Sequence, residues 1–461
     1  METPVMHSIW AVATNTIKQA LRMKIAAVFI ILLIVLLPAM GVSMTGDGTL
    51  KGRLQTFVSY GLSLTNLLLC LFTIVVSIYS LTSDIKQKQI YTVITKPISR
   101  FQFLLGKLLG VILLDAALLV LFSVMIYVIT IYTPRYLGAD KAELAQVGNE
   151  FFTARRGLTP PEADVRQEVL ETYNKLKRTG QLNQIFQDVP RKKIIAELTR
   201  RKKLEKRAAA PGYESVWQFH NIGVKPDDPN LFIRFKYDVS VNPPDLQVYG
   251  RWVVGDYRQV RYGGKIRTPI YSFDRKNLIR TFSEIEVPAD AVAEDGYLAV
   301  RFVNLPLNNT VVIFPPDGLE VLYKADTFGA NFLRAALLIL LRLLFLAVLG
   351  TLAATFLSFP VAVLLCLVIF FTATISGFVI ESFNYISAEL SGVYSYAIKP
   401  IIALLPRFDK FNPSKFLVPA RLLSWTLLAR IAGVMICIKA VLLLLLAILI
   451  FTYKEIAKIT V

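Results

Sequence analysis

Six long apolar runs constrain this chain more than any other feature of its sequence. The sixth lies in IKAVLLLLLAILIFTYKEIAK near the C-terminus, and the other five are 25–42, 57–81, 108–132, 332–357 and 361–380. A helix of about 20 apolar residues crosses the hydrocarbon core of a bilayer. Hydrophobic residues make up 54% of the chain, more than is usual in soluble domains. The sequence therefore predicts an α-helical polytopic membrane protein with six transmembrane helices.

Basic residues flank these runs and predict their orientation. They precede the first run, fill the gap between the second and third, and follow the sixth: Lys18, Arg22, Lys24, Lys86, Lys88, Lys96, Arg100, Lys107, Lys454 and Lys458. By the positive-inside rule these positions are cytoplasmic, although Lys51 and Arg53 oppose the trend. We expect a multi-pass protein of a bacterial inner or plasma membrane with both termini inside. These flanks account for much of the net charge of +18, so no nucleic acid partner is expected.

A polar stretch of almost two hundred residues separates the third and fourth runs and is predicted to be an extracytoplasmic α+β domain. Its first part, 134–212, contains RQEVLETYNKLKR and RKKIIAELTRRKKLEKRAAA, which are typical of polar helices. Its second part, 213–326, contains LFIRFKYDVSV, LQVYGRWVV, RTFSEIEV, YLAVRFVN and TVVIF. Their period-2 alternation predicts strands of an antiparallel β-sandwich. The remaining domains are then 1–133 and 327–461, with three spans each.

Aromatic residues in these strands have two possible roles, packing in the core or stacking on a carbohydrate. Core packing is the commoner fate, and we expect it for Trp217, Phe219, Phe235, Trp252 and Phe302. Asn308-Asn309-Thr310 matches the triplet for N-glycosylation, which is common by chance.

The sequence offers little for catalysis or for a metal site. It has two His and three Cys, and each Cys lies in an apolar run, so neither a disulfide framework nor a metal pair is predicted. Carboxylates of the insertion show no catalytic spacing and are interpreted as a solvated face; they include Asp227, Asp228, Asp238, Asp256 and Glu284. We therefore expect no catalytic, cofactor-binding or metal residues on this chain.

The cytoplasmic loop 83–107 is longer than a connection between two spans requires. In KQKQIYTVITK, basic residues alternate with an apolar stripe that includes Tyr91 and Ile94. Pro97 would end a helix there, and Arg100 and Lys107 would face lipid headgroups. The pattern fits either an interfacial helix that holds two spans at the lipid surface or a docking segment.

The stretch IYTVITKPISRFQFLLGKLLG resembles the loop after the second span in ABC transporter permeases of the ABC-2 type. The match covers 94–100 and Gly106-Lys107, while the acidic start of the family's loop is represented only by Asp84. The N-terminal MHSIWAVATNTIKQALRMK resembles the family's interfacial helix, and the six-span plan, LLPRFDKFNPSKFLV and the terminal FTYKE agree as well. The resemblance covers about 270 residues and leaves out the insertion.

The resemblance implies that the loop is a coupling helix docked on a separate ABC ATPase subunit. The residues expected to serve this contact are Asp84, Lys86, Lys88, Tyr91, Ile94, Lys96, Pro97, Ser99 and Arg100. This chain has no G-x-x-x-x-G-K-[ST] motif, so ATP and Mg²⁺ would be bound by the partner ATPase. A second copy or paralogue of the permease would complete a dimer. The substrate would be exported, although import stays open.

Two other function classes remain alternatives. The first is a membrane-anchored extracytoplasmic binding or sensor protein, which needs no ATPase. The second is a membrane enzyme, which the absence of a catalytic spacing disfavours. In either the permease or the sensor, the insertion would bind an envelope partner or cargo, and lipids would surround the spans.

Two charged residues lie inside apolar runs, Asp115 in GVILLDAALLVLF and Arg342 in ALLILLRLLFLAV. Charges at membrane depth are costly and often functional. Counted at about 1.5 Å per residue, the two positions have similar depths, which suggests a buried ion pair. The alternative is that Arg342 extends toward the interface while Asp115 binds a neighbouring hydroxyl.

Overall fold

The computed structural model describes residues 4–86, 99–182, 186, 189–223, 230–261, 267–383, 405–409 and 411–453. Its helices are α1 Pro4–Leu21, α2 Lys24–Ser43, α3 Leu50–Lys86, α4 Arg100–Tyr136, α5 Lys141–Glu150, α6 Arg166–Arg178, α7 Arg191–Glu205, α8 Arg258–Arg261, α9 Phe328–Phe356, α10 Phe359–Phe383, α11 Ser414–Leu417 and α12 Trp425–Tyr453. Six of them in the described residues, α2, α3, α4, α9, α10 and α12, are long and apolar enough to cross a membrane. The prediction of six such helices is confirmed, which is compatible with a multi-pass membrane protein.

The strands are β1 Thr153–Leu158, β2 Ala208–Ala209, β3 Glu214–Phe219, β4 Asn230–Phe235, β5 Asp238–Val239, β6 Gln247–Gly255, β7 Tyr271–Leu278, β8 Ser283–Pro288, β9 Leu298–Asn304, β10 Val312–Ile313 and β11 Leu319–Thr327. All five sequence stretches predicted as strands contain one. The two predicted polar helices correspond to α6 and α7.

The chain divides into two compact units, a helical unit of 1–154 with 326–461 and an inserted unit of 155–325. The predicted boundary at 134 differs because α5 packs with the helical unit: Val147 and Phe151 lie in its core, and Lys51 of α3 forms an ion pair with Glu150. The insertion also forms one unit rather than the two domains predicted from composition, and β1, from its helical part, lies beside β11 in a sheet.

The helical unit has a buried centre and an apolar periphery. In α9, 72% of the most apolar window is buried, against 17% in α2 and 22% in both α10 and α12. The outer helices thus present large apolar side chains that nothing in the described chain covers, among them Val28, Ile31, Leu364, Val368 and Leu442. Such surfaces are rare on soluble monomers and suit contact with lipid.

Helices α3 and α4 are longer than a bilayer requires. Each has 37 residues, which corresponds to about 55 Å at 1.5 Å per residue, whereas a hydrocarbon core is about 30 Å thick. Each helix is therefore long enough to extend beyond a hydrocarbon core.

The inserted unit is built on antiparallel sheets. One four-stranded sheet has the order β1-β11-β4-β8 and another the order β3-β9-β6-β7. Both contribute to one apolar cluster, in which Phe235 of β4 contacts Trp252 of β6 and Trp252 is paired with Phe302 of β9. This arrangement is compatible with the predicted sandwich. The five aromatic residues predicted for the core are all buried, so none of them presents a stacking face.

Candidate functional site

The predicted coupling loop is described only at its two ends. Helix α3 ends at Lys86 and α4 begins at Arg100. Lys88, Tyr91, Ile94, Lys96 and Pro97 lie outside the described residues, so their predicted contact with an ATPase stays a prediction. The site can be built from Asp84, Lys86, Ser99 and Arg100, and from the residues that they touch.

A buried polar triangle fixes the base of this loop. The Lys107 Nζ lies 2.6 Å from Asp84 Oδ2 and donates a hydrogen bond of 3.0 Å to Gln19 Oε1. The Gln19 Nε2 in turn donates to Asp84 Oδ1 at 3.2 Å. Three elements, α1, α3 and α4, are thereby joined at one point, which we call the loop-base triangle (Gln19, Asp84 and Lys107).

The loop-base triangle is sealed from solvent. The side chains of Lys107 and Asp84 are 2% and 7% exposed. A buried ion pair is tolerable only when its remaining donors and acceptors are also bonded, and Gln19 supplies one donor and one acceptor. Asp84 was expected to face an ATPase; its carboxylate is instead directed inward, whereas Lys86 is exposed. Asp84 therefore fixes the start of the loop to the neighbouring helices. A contact with an ATPase at the α3 end of the loop would use Lys86 instead.

Two glycines bring α1 into direct contact with α4 beside the triangle. A Cβ on Gly106 would lie 2.7 Å from Val12 Cβ, and one on Gly110 would lie 2.6 Å from the Ala13 carbonyl oxygen. Small residues four positions apart let helix backbones approach closely. The two glycines of GKLLG, a stretch that resembles part of a phosphate-binding motif, thus allow α4 to pack closely on α1. Lys107, between them, belongs to the loop-base triangle.

The start of α4 is fixed by its own side chains. The Ser99 hydroxyl accepts a hydrogen bond from the Gln102 N–H at 3.2 Å, while Gln102 Oε1 accepts from the Ser99 N–H at 3.0 Å. This capping box satisfies two backbone donors of the first turn. Ser99, predicted as a docking residue, has this structural role in the described chain.

Arg100 joins the loop to the last span. Its Nη1 donates to the carbonyl oxygens of Phe451 at 3.1 Å and of Thr452 at 2.7 Å. A cation at a helix C-terminus satisfies free carbonyls and complements the helix dipole. The sequence predicted that Arg100 would face lipid headgroups; the structure places its guanidinium on the end of α12. The loop is thus connected to α1, α3, α4 and α12.

Asp115 and Arg342, the two charged residues predicted to pair inside the apolar runs, do not pair with each other within the described residues. Asp115 Oδ2 accepts a hydrogen bond of 2.9 Å from the Thr73 hydroxyl, which is the alternative kept open from the sequence. Arg342 Nη2 donates to the carbonyl oxygens of Phe408 and Phe411. The predicted ion pair is therefore wrong, because each side chain is directed at a different neighbour.

The partners of Arg342 lie in irregular backbone before α11, and the described residues 405–409 and 411–424 on either side of that short helix are held against α9 by hydrogen bonds. Asn331, nearer the start of α9, holds the same segment by donating to the Arg421 carbonyl at 2.7 Å and accepting from the Leu423 N–H at 2.8 Å. Irregular backbone at membrane depth is tolerated only where its polar groups are bonded within the protein. Arg342 and Asn331, eleven residues apart on α9, supply hydrogen bonds to backbone groups of this segment.

The carboxylates of the inserted unit are paired with arginines. Asp238 binds Arg280, Glu284 binds Arg155, and Asp256 shares Arg258 with Asp295; Asp227 and Asp228 lie outside the described residues. The sequence interpretation of these carboxylates as a solvated face does not hold for Asp256, which is only 6% exposed. The hydrogen bonds from Arg258 lower the pKa of Asp295 to about 2. These pairs bind strands and turns together.

The glycosylation triplet is part of the fold. Asn308 is 7% exposed; its Oδ1 accepts from the Tyr249 N–H at 3.0 Å and its Nδ2 donates to the Tyr249 carbonyl at 2.6 Å. A buried side chain whose amide oxygen and nitrogen are both bonded to the backbone of β6 is not available for glycosylation in the folded chain.

Sequence reasoning missed Gln19 and did not assign Lys107 a partner. The sequence predicted that Lys107 would face lipid headgroups; this is wrong, because its ammonium is buried against Asp84 and Gln19. The sequence did contain one signal: Lys107 lies close to Gly106 and Gly110 on one helix, and glycines spaced in this way allow a neighbouring helix to pack closely.

The chain matches no family model, no curated protein and no solved structure.

Proposed function

We propose that this chain is the membrane-spanning permease subunit of an ABC transporter of the ABC-2 type. It would couple ATP hydrolysis by a separate ATPase subunit to the export of a substrate. The proposal combines the sequence resemblance with the six apolar helices, and one observation carries it: the loop-base triangle. The alternative, a membrane-anchored extracytoplasmic binding or sensor protein, does not require the base of this loop to be rigid.

The loop-base triangle supports coupling because it makes the base of the loop rigid. A force applied to a docked loop moves the spans only if the loop is fixed to them. Asp84 lies two residues before the end of α3, and Lys107 lies in the second turn of α4. Their pair joins the two flanking helices, Gln19 adds α1, and Arg100 adds the end of α12. A displacement of the loop is thus transmitted to four helices at once.

The six helices would cross the membrane with both chain ends in the cytoplasm. Three spans precede the insertion, so the loop 87–98 and the inserted unit lie on opposite sides of the membrane in this topology, the loop inside and the insertion outside. The insertion would form a β-sandwich with attached helices and bind an envelope partner or cargo. Two permease chains and two ATPases would complete the assembly, with ATP and Mg²⁺ on the ATPases.

The test is whether an ABC ATPase co-purifies with the chain from its native membrane. Tyr91→Asp and Ile94→Asp each place a charge in the apolar stripe of the loop, and each should abolish co-purification while membrane insertion is retained. Tyr136→Asp is the matched control, since Tyr136 is 85% exposed at the opposite end of α4. It should leave co-purification unchanged.

Two results would contradict the proposal. Retained binding in both loop variants would exclude docking through this stripe. If no ATPase accompanies the unaltered chain in native lipid, the binding or sensor protein becomes the better account.

A further inference from the structure

Asp115 has fewer hydrogen-bond donors around it than an ionised carboxylate needs. It lies in α4 and is 1% exposed. Its Oδ1 is buried without a hydrogen-bond partner in the part of the chain that the structure describes. Its Oδ2 contacts the Thr73 hydroxyl of α3 at 2.9 Å. An ionised carboxylate accepts at both oxygens, and burying one without such bonds is costly. The fold therefore offers a full negative charge at most one donor.

That one donor has a second acceptor beside it. The Thr73 Oγ1 lies 2.7 Å from the carbonyl oxygen of Leu69, four residues earlier on α3, where a threonine hydroxyl in a helix commonly donates. A hydroxyl has one proton, and neither a backbone carbonyl nor an ionised Asp115 can supply another. A proton on Asp115 Oδ2 removes the conflict. The Oδ2–H then donates to Thr73 Oγ1, the Thr73 hydroxyl donates to Leu69, and Oδ1 stays as a carbonyl oxygen.

No cation balances Asp115 within the described residues. Cys70 of α3 interacts electrostatically with both Asp115 and Arg342 of α9. A thiol is only a weak donor, and the Arg342 guanidinium is directed at the carbonyl oxygens of Phe408 and Phe411. Helices α1, α2 and α12 also pack against α4, and none of their described charged side chains interacts with Asp115. The negative charge of an ionised Asp115 would thus have no partner.

Asp84 shows how the same helical unit holds an aspartate with a charged partner. Its Oδ2 lies 2.6 Å from the Lys107 ammonium, and its Oδ1 accepts from the Gln19 amide at 3.2 Å. Both oxygens are therefore bonded, one of them to a cation. Asp115 is at least as deeply buried and has neither feature. This contrast is the arrangement expected if Asp84 is ionised and Asp115 is not.

We propose that Asp115 is a proton-binding site. In this packing of the helices it is a neutral carboxylic acid whose Oδ2–H donates to the Thr73 hydroxyl and joins α4 to α3. These are the two helices that flank the loop 87–98. Loss of the proton to water leaves a carboxylate with one shared donor, so the contact between the helices weakens as the pH rises. The inference rests on the hydrogen bonds of described residues and not on an ATPase, so failure of the coupling proposal would leave it standing.

The first test is infrared spectroscopy of the purified full chain in neutral detergent at neutral pH, where ordinary Asp and Glu side chains are ionised. A protonated carboxyl group absorbs at a higher frequency than a carboxylate, so a single neutral acid is visible. The unaltered chain should show this band, and Asp115→Asn should remove it. Asp295→Asn is the matched control, because Asp295 is exposed and has a pKa of about 2; it should leave the band unchanged.

Variants at Thr73 test the direction of the hydrogen bond and do not depend on whether Asp115→Asn folds. Thr73→Val removes the acceptor of the Oδ2–H, so the band should persist and move to higher frequency. Thr73→Ser keeps the hydroxyl and should leave the band in place. Absence of the band from the unaltered chain, or an equal band in Asp115→Asn, would overturn the proposal. A band that Thr73→Val does not move would overturn the assigned donation.

The second test is the pH dependence of unfolding by sodium dodecyl sulfate, followed by helical circular dichroism. Above about pH 4 an aspartate of the unfolded chain is ionised, so the folded chain then holds one more proton than the unfolded chain. Its stability should therefore fall as the pH rises toward neutrality. Relative to Asp115→Asn, the unfolding equilibrium constant of the unaltered chain should increase by up to about tenfold for each pH unit. Parallel pH profiles of the two chains would overturn the proposal.

Discussion

The loop-base triangle makes a sharp prediction about stability. Asp84→Asn leaves the Lys107 ammonium buried without a carboxylate, and Lys107→Met leaves the Asp84 carboxylate buried without a cation. Because the side chains are only 7% and 2% exposed, water cannot replace the missing partner. Breaking one side of a buried ion pair costs about 3–5 kcal/mol, and we expect each single variant to lose that much.

The double variant Asp84→Asn with Lys107→Met should be more stable than either single variant. It removes both charges, so no uncompensated ion stays buried, and an uncharged replacement of similar volume is often close to neutral. We therefore expect a coupling free energy of at least about 2 kcal/mol, within the range that contacting residues show. Gln19 still has an amide to bond at position 84 in this variant, which keeps α1 in place.

The assay is equilibrium unfolding of the purified chain by sodium dodecyl sulfate in mixed micelles, followed by helical circular dichroism. Lys51→Gln provides a control in the same unit, since its ion pair with Glu150 has side chains 29% and 19% exposed. That pair should contribute only about 1 kcal/mol. Strictly additive losses in the double variant, or single losses no larger than that of the control, would refute the argument from burial.

Three further outcomes are expected. Gly110→Ala places a Cβ 2.6 Å from the Ala13 carbonyl oxygen and should lower the free energy of unfolding by about 1–3 kcal/mol in the same assay. The control Gly433→Ala, where a Cβ meets open space, should be neutral or slightly stabilising. Equal effects of the two replacements would exclude close packing of α1 on α4. Arg342→Gln should destabilise the helical unit by about 1.5–3 kcal/mol for each hydrogen bond lost, and an unchanged unfolding midpoint would contradict its role in holding the irregular backbone before α11. Asp295→Asn should lower the melting temperature of the full chain's β-type signal at neutral pH. Arg258 lowers the pKa of Asp295 from its ordinary 3.8 to about 2, so the difference should be full above about pH 4 and shrink as the pH falls from 4 through 2. A difference of the same size at pH 7 and at pH 2 would refute the pair.

Local patterns identified the elements of this fold. The length of an apolar run is a property of consecutive residues, so all six apolar helices were predictable to within a turn or two at most ends. Period-2 alternation likewise located strands such as β6 and β9. The limit of the helical unit at 154 was not predictable, because α5 is polar by composition yet buries Val147 in the helical core, followed by Phe151 just after the helix; composition carries no information about such packing.

Contacts between distant residues were decided only by the tertiary structure. The sequence alone determined that Asp84 and Lys107 flank one loop and that Arg342 lies inside an apolar run. It did not determine that Gln19, 88 positions before Lys107, completes a buried triangle, or that Arg342 binds carbonyl groups 66 and 69 positions away. A buried cation must find hydrogen-bond acceptors, and a carboxylate, an amide oxygen or a backbone carbonyl can each supply them. Which of these it meets depends on how the helices pack.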